Sequence, residues 1–132
     1  MSVFLDTSAL LAVLDADEAS HFRADAIWRR LIGERRTLVT TNYVLVETVA
    51  LAQSRLGLEA TRAVQQDIVP VLRVIWVTEE LHRAAMTALV TAGRRRLSLV
   101  DCVSFEVMRR EGLHQAFALD RHFSEQGFGL ER

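Results

Sequence analysis

The chain has 132 residues, half of them apolar and a quarter charged, with a net charge of −1. That length closes one hydrophobic core without staples, and the single cysteine, Cys102, excludes an internal disulfide framework and any cysteine-built zinc cluster. All sixteen basic residues are Arg, so every site that needs a lysine is absent: a phosphate loop ending in Gly-Lys-Ser/Thr, a Schiff-base enzyme, a receiver-type phospho-acceptor domain.

Val3, Phe4 and Leu5 read as a short buried strand, followed by a carboxylate, Asp6, in a stretch with no other charge. Ala9–Leu14 reads as a short helix. "ASHFRADAIWRRLIGE" reads as a second, with Phe22, Ala26, Ile27 and Leu31 near helical period and Gly33 as its stop. Thr37–Thr41 is a β-type run, and Asn42 is placed to cap a helix that reaches Leu56 and stops at Gly57. Glu59–Val69 is a further helix, broken at Pro70, the only proline. Leu72–Thr78 is the clearest strand, rich in β-branched and aromatic residues.

Glu79–Ala92 and Ser98–Arg110 read as helices, separated by the Gly93 turn and the run Arg94, Arg95, Arg96. Ala116–Asp120 is a last buried strand. Strands alternating with helices predict a single α/β domain over residues 1–132, its mostly parallel sheet covered on both faces. In such sheets ligands bind beyond the carboxyl ends of the strands, where Asp6 and Asp120 stand. No apolar run is long enough to cross a bilayer, and no basic segment precedes a long apolar one at the N-terminus. With one cysteine suited to a reducing compartment, a cytoplasmic protein is expected.

Four acids stand apart from the rest. Asp6, Glu47, Asp101 and Asp120 each lie in a segment with no other acid and no Arg, whereas the remaining acids mostly neighbour an Arg. Local readings exist for three of them. Asp6 can cap the helix after it, Asp101 lies at capping-box spacing from Ser98, and Asp120 can end its strand in a tight turn with Arg121 or His122. Glu47 has only Tyr43, Val44, Ala50 and Leu51 at helical neighbour positions, none of them a cation. Read together, two strand ends and two helices bring four carboxylates to one rim.

Like charges a few Å apart cannot all stay ionised unless a cation sits among them. Carboxylate oxygens without His or Cys suit Mg²⁺ or Mn²⁺ rather than zinc, and divalent ions in an acidic pocket support in-line displacement at phosphorus. Thr7, Ser8 and Ser104 could orient the carboxylates or a water from behind, although local hydrogen bonding accounts equally for these hydroxyls and better for Thr7. His21, His82, His114 and His122 share no ligand spacing and read as surface or packing residues. Cys102 reads as a small buried apolar residue, and Trp28 and Trp76 as core. Arg94, Arg95 and Arg96 are either a solvated loop or a grip on RNA phosphates.

The segments "FLDTSALLAVLDADEASH", "TNYVLVETVAL", "LSLVDCVSFEVMRREG" and "AFALDRHF" resemble the PIN-domain ribonucleases, and most closely the VapC toxins of bacterial toxin–antitoxin pairs. The likeness spans essentially the whole chain, with the acids in the family's order and spacing. It implies a PIN-like fold and a ribonuclease that cleaves RNA phosphodiester bonds through Mg²⁺ or Mn²⁺. Asp6, Glu47, Asp101 and Asp120 match the family's metal-binding quartet, and Ser8 matches its small hydroxyl two residues after the first Asp. The family commonly carries Thr or Ser two residues before the last Asp, where this chain has Ala118. The resemblance further implies a homodimer and a cognate VapB-like antitoxin that occupies the active site. A haloacid-dehalogenase-type phosphatase would need a second Asp where Ser8 stands, and a Lys. The alternative from another class is a weak or silent PIN-like domain that binds RNA or a protein.

Overall fold

A computed structural model describes every residue from Met1 to Arg132. Five strands, β1 (Ser2–Leu5), β2 (Thr37–Thr41), β3 (Leu72–Ile75), β4 (Gln115–Phe117) and β5 (Gly129–Leu130), form one parallel sheet in the order β3-β2-β1-β4-β5. Seven helices connect and cover them: α1 (Thr7–Leu14), α2 (His21–Gly33), α3 (Asn42–Leu56), α4 (Leu58–Ala63), α5 (Glu79–Ala92), α6 (Leu99–Glu111) and α7 (His122–Glu125). No helix is long and apolar enough to cross a membrane.

The central strand explains why the sheet must be sandwiched. Val3, Phe4 and Leu5 are all fully buried although successive strand side chains point to opposite faces, so both faces are covered. Phe4 stands opposite Val39 on one side and Ala116 on the other. Beneath the sheet, Phe123 meets Phe4, Phe105 and Phe128 in an aromatic cluster with centroids 5.0–6.5 Å apart, which anchors the short helix α7.

The strand order creates the site. From β1 the chain builds outward to β2 and β3, then crosses back to β4 and β5 on the other side. The carboxyl ends of β1 and β4 therefore flank the point where the direction reverses, the usual crevice of an open parallel sheet. The Asp6 N–H donates to the Phe117 carbonyl at 3.0 Å and fixes that junction. Because α6 leads into β4, it runs antiparallel to it and its first turn returns to the same rim.

Several expectations need correction. The α3 cap is Thr41, whose hydroxyl accepts the Val44 N–H at 3.2 Å; Asn42 instead accepts the Val77 N–H at 2.7 Å and holds the chain leaving β3. The helix after Gly57 is regular only to Ala63 and then widens through a π-type turn, Val64–Ile68, and a 3₁₀ turn carrying Pro70. Strand β3 ends at Ile75, and Trp76 is 72% exposed rather than core, because β3 is an edge strand whose outer side has no neighbour. Trp28 does pack against the core. Phe22 is 86% exposed, since α2 buries Ala24, Ile27 and Leu31. Strand β4 ends at Phe117, so Asp120 lies in the turn beyond it, and β5 was not legible in its two residues.

Candidate metal centre

Asp6 is 3% exposed and has two tasks at once. As the residue before α1 its Oδ2 accepts the Ser8 N–H at 3.2 Å, the local capping role open to it. The same oxygen accepts the Ser8 hydroxyl at 2.6 Å, while the Ser8 Oγ accepts the Leu119 N–H at 2.9 Å. Ser8 thus ties the end of β1 to the loop that carries Asp120. Thr7 is a structural pin: its hydroxyl donates to the Val44 carbonyl at 3.3 Å and accepts from Thr48 at 3.2 Å, fixing α1 against α3.

Asp101 completes a capping box in the first turn of α6. The Ser98 hydroxyl accepts the Asp101 N–H at 3.0 Å, and Asp101 Oδ2 accepts the Ser98 N–H at 3.2 Å. His122 Nδ1 lies 3.1 Å from that same Oδ2, and the His122 N–H donates to Asp120 Oδ1 at 3.0 Å. Donor atoms of Asp101, Asp120 and His122 all lie within 4.8 Å of one another. Asp101 Oδ1 accepts no hydrogen bond, and since no buried side-chain polar atom lacks a partner, this oxygen reaches solvent.

His122 therefore corrects the reading of all four histidines as surface or packing residues. His21 bonds the Ala12 carbonyl at 2.8 Å and His82 the Tyr43 hydroxyl at 2.5 Å, both as packing residues. His122 stands among the acids. Its contact with Asp101 spans 21 positions and depends on where α7 lands, so only its place two residues after Asp120 hinted at it.

The electrostatics carry the mark of missing positive charge. No Arg pairs with Asp6, Asp101 or Asp120; His122 is the only basic side chain within 4.0 Å of their carboxylates. Burial pushes the Asp6 carboxyl up from 3.8 to about 7, against the Ser8 hydrogen bond, and the charges of Asp120 and Asp101 raise it further. Asp120 is raised by burial and by Asp101, with the His122 N–H and ring acting the other way. A pocket whose carboxyls resist ionisation when empty of cations is chemically matched to a divalent one. The carboxylates of Asp6, Asp101 and Asp120 are a hard oxygen donor set for such an ion, with the His122 ring turned to Asp101.

The other residues singled out by sequence fall as follows. Glu47 lies in the second turn of α3, half-buried, with no hydrogen bond or ion pair, outside the tight group of Asp101, Asp120 and His122. The Ser104 hydroxyl donates to the Val100 carbonyl one turn back at 2.8 Å, so it braces α6 and orients no carboxylate here. Ala118 is buried beside the Leu119 N–H that Ser8 accepts. Cys102 is buried, with its thiol pushed up by that burial and by Asp101, as a packing residue would be. Arg94, Arg95 and Arg96 occupy the exposed turn between α5 and α6, where Arg94 lies 3.5 Å from Glu125. Sequence reasoning missed Arg55: an exposed guanidinium without an ion-pair partner, it is the one cation in a cleft of about 350 Å³ lined also by Ser8, Asp15, Glu18, Leu119 and Asp120.

A parallel sheet in this order with acids at its switch point defines a class of domain, and comparison assigns it. Residues 3–129 match the PIN domain, and the chain belongs to that family. It is 37% identical over 127 residues, covering 96% of this chain and 95% of the relative, to the 23S rRNA-specific endonuclease VapC20 of Mycobacterium tuberculosis (strain H37Rv). The crystal structure of M. tuberculosis VapC20, described as a sarcin–ricin loop cleaving toxin, superposes with a TM-score of 0.83 at 37% identity over 96% of this chain and 95% of that one. VapBC2 from Rickettsia felis, solved with a promoter DNA fragment, shares the fold at a TM-score of 0.69 and 15% identity over 99% and 98% of the two chains. FitAcB from Neisseria gonorrhoeae does so at 0.70 and 16% over 100% and 97%.

Proposed function

We propose that this chain is a metal-dependent RNA endonuclease, the toxin of a VapBC-type toxin–antitoxin pair. The observation that carries this is Asp101 and Asp120 gathered with His122, and Asp6 feeling the charges of both acids, with no Arg partner at the sheet's switch point, in a chain 37% identical over nearly its whole length to an rRNA endonuclease. Asp6, Asp101 and Asp120 would hold Mg²⁺ or Mn²⁺, with Glu47 approaching from α3. When bound, such an ion polarises a phosphoryl oxygen and makes a nucleophile of water near neutral pH.

The chain's own residues do the rest. Ser8 holds Asp6 and the Asp120 loop in one frame, supplying a hydroxyl in the neighbourhood where Ala118 has none. The backbone of an RNA strand must approach an acidic pocket, so cations outside it have to offset the repulsion. Arg55 in the adjoining cleft is placed for that, and Arg95 and Arg96, without ion pairs, offer a second contact. On this reading the antitoxin is a small protein that brings a basic side chain to the same acids, and the toxin works as a homodimer.

The test is to incubate the purified chain with intact ribosomes and total RNA and to map new RNA ends by sequencing. Discrete new 5′ ends, within the sarcin–ricin loop of 23S rRNA if target choice follows the relative, are the expected result. RNA retained by the protein but never cut would instead favour a binding module.

A further inference from the structure

We propose that His122 is a positioning residue of the metal centre, one that holds two of the acids from a single point and leaves the outward oxygen of Asp101 free for the ion. This rests on the metal-nuclease reading above. The residue reaches Asp120 through its backbone N–H, 3.0 Å from Oδ1, and Asp101 through its ring, with Nδ1 3.1 Å from Oδ2. An ionised carboxylate only accepts hydrogen bonds, so the ring proton sits on Nδ1 and Asp101 Oδ2 receives it. That oxygen also receives the Ser98 N–H and is thereby occupied on the side facing the protein. Oδ1, which accepts nothing, faces outward.

The anchor is rigid for a reason that lies elsewhere in the fold. His122 opens α7, and the next residue, Phe123, is fully buried between Phe4, Phe105 and Phe128. The aromatic cluster fixes the backbone at 122–123, and that backbone in turn fixes the ring. Asp101 and Asp120 come from α6 and from the loop after β4, and His122 is the one residue that donates to both, with its ring to Asp101 and with its backbone N–H to Asp120. Two carboxylates that repel each other would otherwise splay apart, and an ion would have to gather them on binding. Loss of such an orienting partner typically lowers metal affinity 10–100-fold.

Calorimetric titration of the metal-free protein with Mn²⁺ alone tests this, using wild type, His122→Ala and His122→Asn, each first shown to be folded by its thermal transition. The Asn amide N–H reaches the place of Nδ1–H, so His122→Asn should bind within a few-fold of wild type, while His122→Ala should bind roughly 10–100-fold more weakly. With RNA, His122→Ala should need correspondingly more Mn²⁺ for half-maximal rate while its KM for RNA at saturating Mn²⁺ stays unchanged. Pulsed EPR of Mn²⁺-loaded wild type should show no directly bound nitrogen. Wild-type affinity in His122→Ala, equal losses in both variants, or strong nitrogen coupling (which would make His122 a ligand) would each overturn the proposal. No Mn²⁺ uptake by wild type would overturn the metal reading itself, and this inference with it.

Discussion

Asp101→Asn should abolish RNA cleavage while changing stability by no more than about 1 kcal/mol. The activity loss follows from Oδ1, the oxygen that reaches solvent: an amide there is a far weaker ligand, and losing ~3–4 kcal/mol of charge stabilisation in the transition state costs on the order of 10²–10³-fold. Stability responds to two opposed terms. Asp101 is at once the acid of a capping box and a member of the acidic group, tasks that could have excluded each other but use different oxygens. Removing its charge costs ~0.3–1 kcal/mol of interaction with the helix N-terminus and relieves repulsion with Asp6 and Asp120. Denaturant melts beside single-turnover cleavage assays check both halves. Marked destabilisation with cleavage intact would mean that Asp101 serves the helix alone.

In the metal-free protein, stability should fall as pH rises from about 4 to about 7, and Asp6→Asn should flatten that slope. The folded protein keeps the Asp6 proton up to about 7, while the unfolded chain releases it near 3.8. Between those values the native state binds more protons than the unfolded one, so each step up in pH favours unfolding. The gap corresponds to ~4 kcal/mol as an upper bound at about 1.4 kcal/mol per pH unit, and sharing of the charge with Asp120 reduces it. Asp120, also raised, adds to the same slope. A divalent ion should cancel the penalty, because the ionised acids then have a partner, and the transition at pH 8 should shift upward with Mn²⁺. Urea melts at pH 5 and pH 8 on wild type and Asp6→Asn, with and without Mn²⁺, give the comparison. A slope of the same size in both proteins would assign it to other groups.

These expectations rest on residues whose chemistry was visible in sequence to different depths. Strand β2 and helix α5 follow the expected bounds because their signals are local: a run of β-branched residues, and a helical run closed by Gly93, with the Thr78 cap, read as the end of the strand before it, visible only in the structure. Gly93 takes φ +59°, where a side chain would be strained, so the helix stop was also legible. The acids were legible because a lone charge in apolar sequence is costly unless something meets it. What escaped depends on distant contacts. Trp76 looks like core until β3 proves to be an edge, and Thr41 takes the cap because Asn42 is drawn to the backbone of Val77, 35 residues on. The ring of His122 meets Asp101 only after the phenylalanine cluster has set α7. Glu47 is the reverse case, an acid that sequence marks clearly and that the fold leaves without a hydrogen bond on α3.

The most direct test of the central claim is cleavage of a 23S rRNA hairpin by protein stripped of metal and then titrated with Mn²⁺. The account predicts no cleavage in excess chelator, restored cleavage as Mn²⁺ is added, and saturation at the same Mn²⁺ concentration that saturates binding. Cleavage at full rate in excess chelator, lost in none of the Asp6, Asp101 and Asp120 to Asn variants, would contradict it.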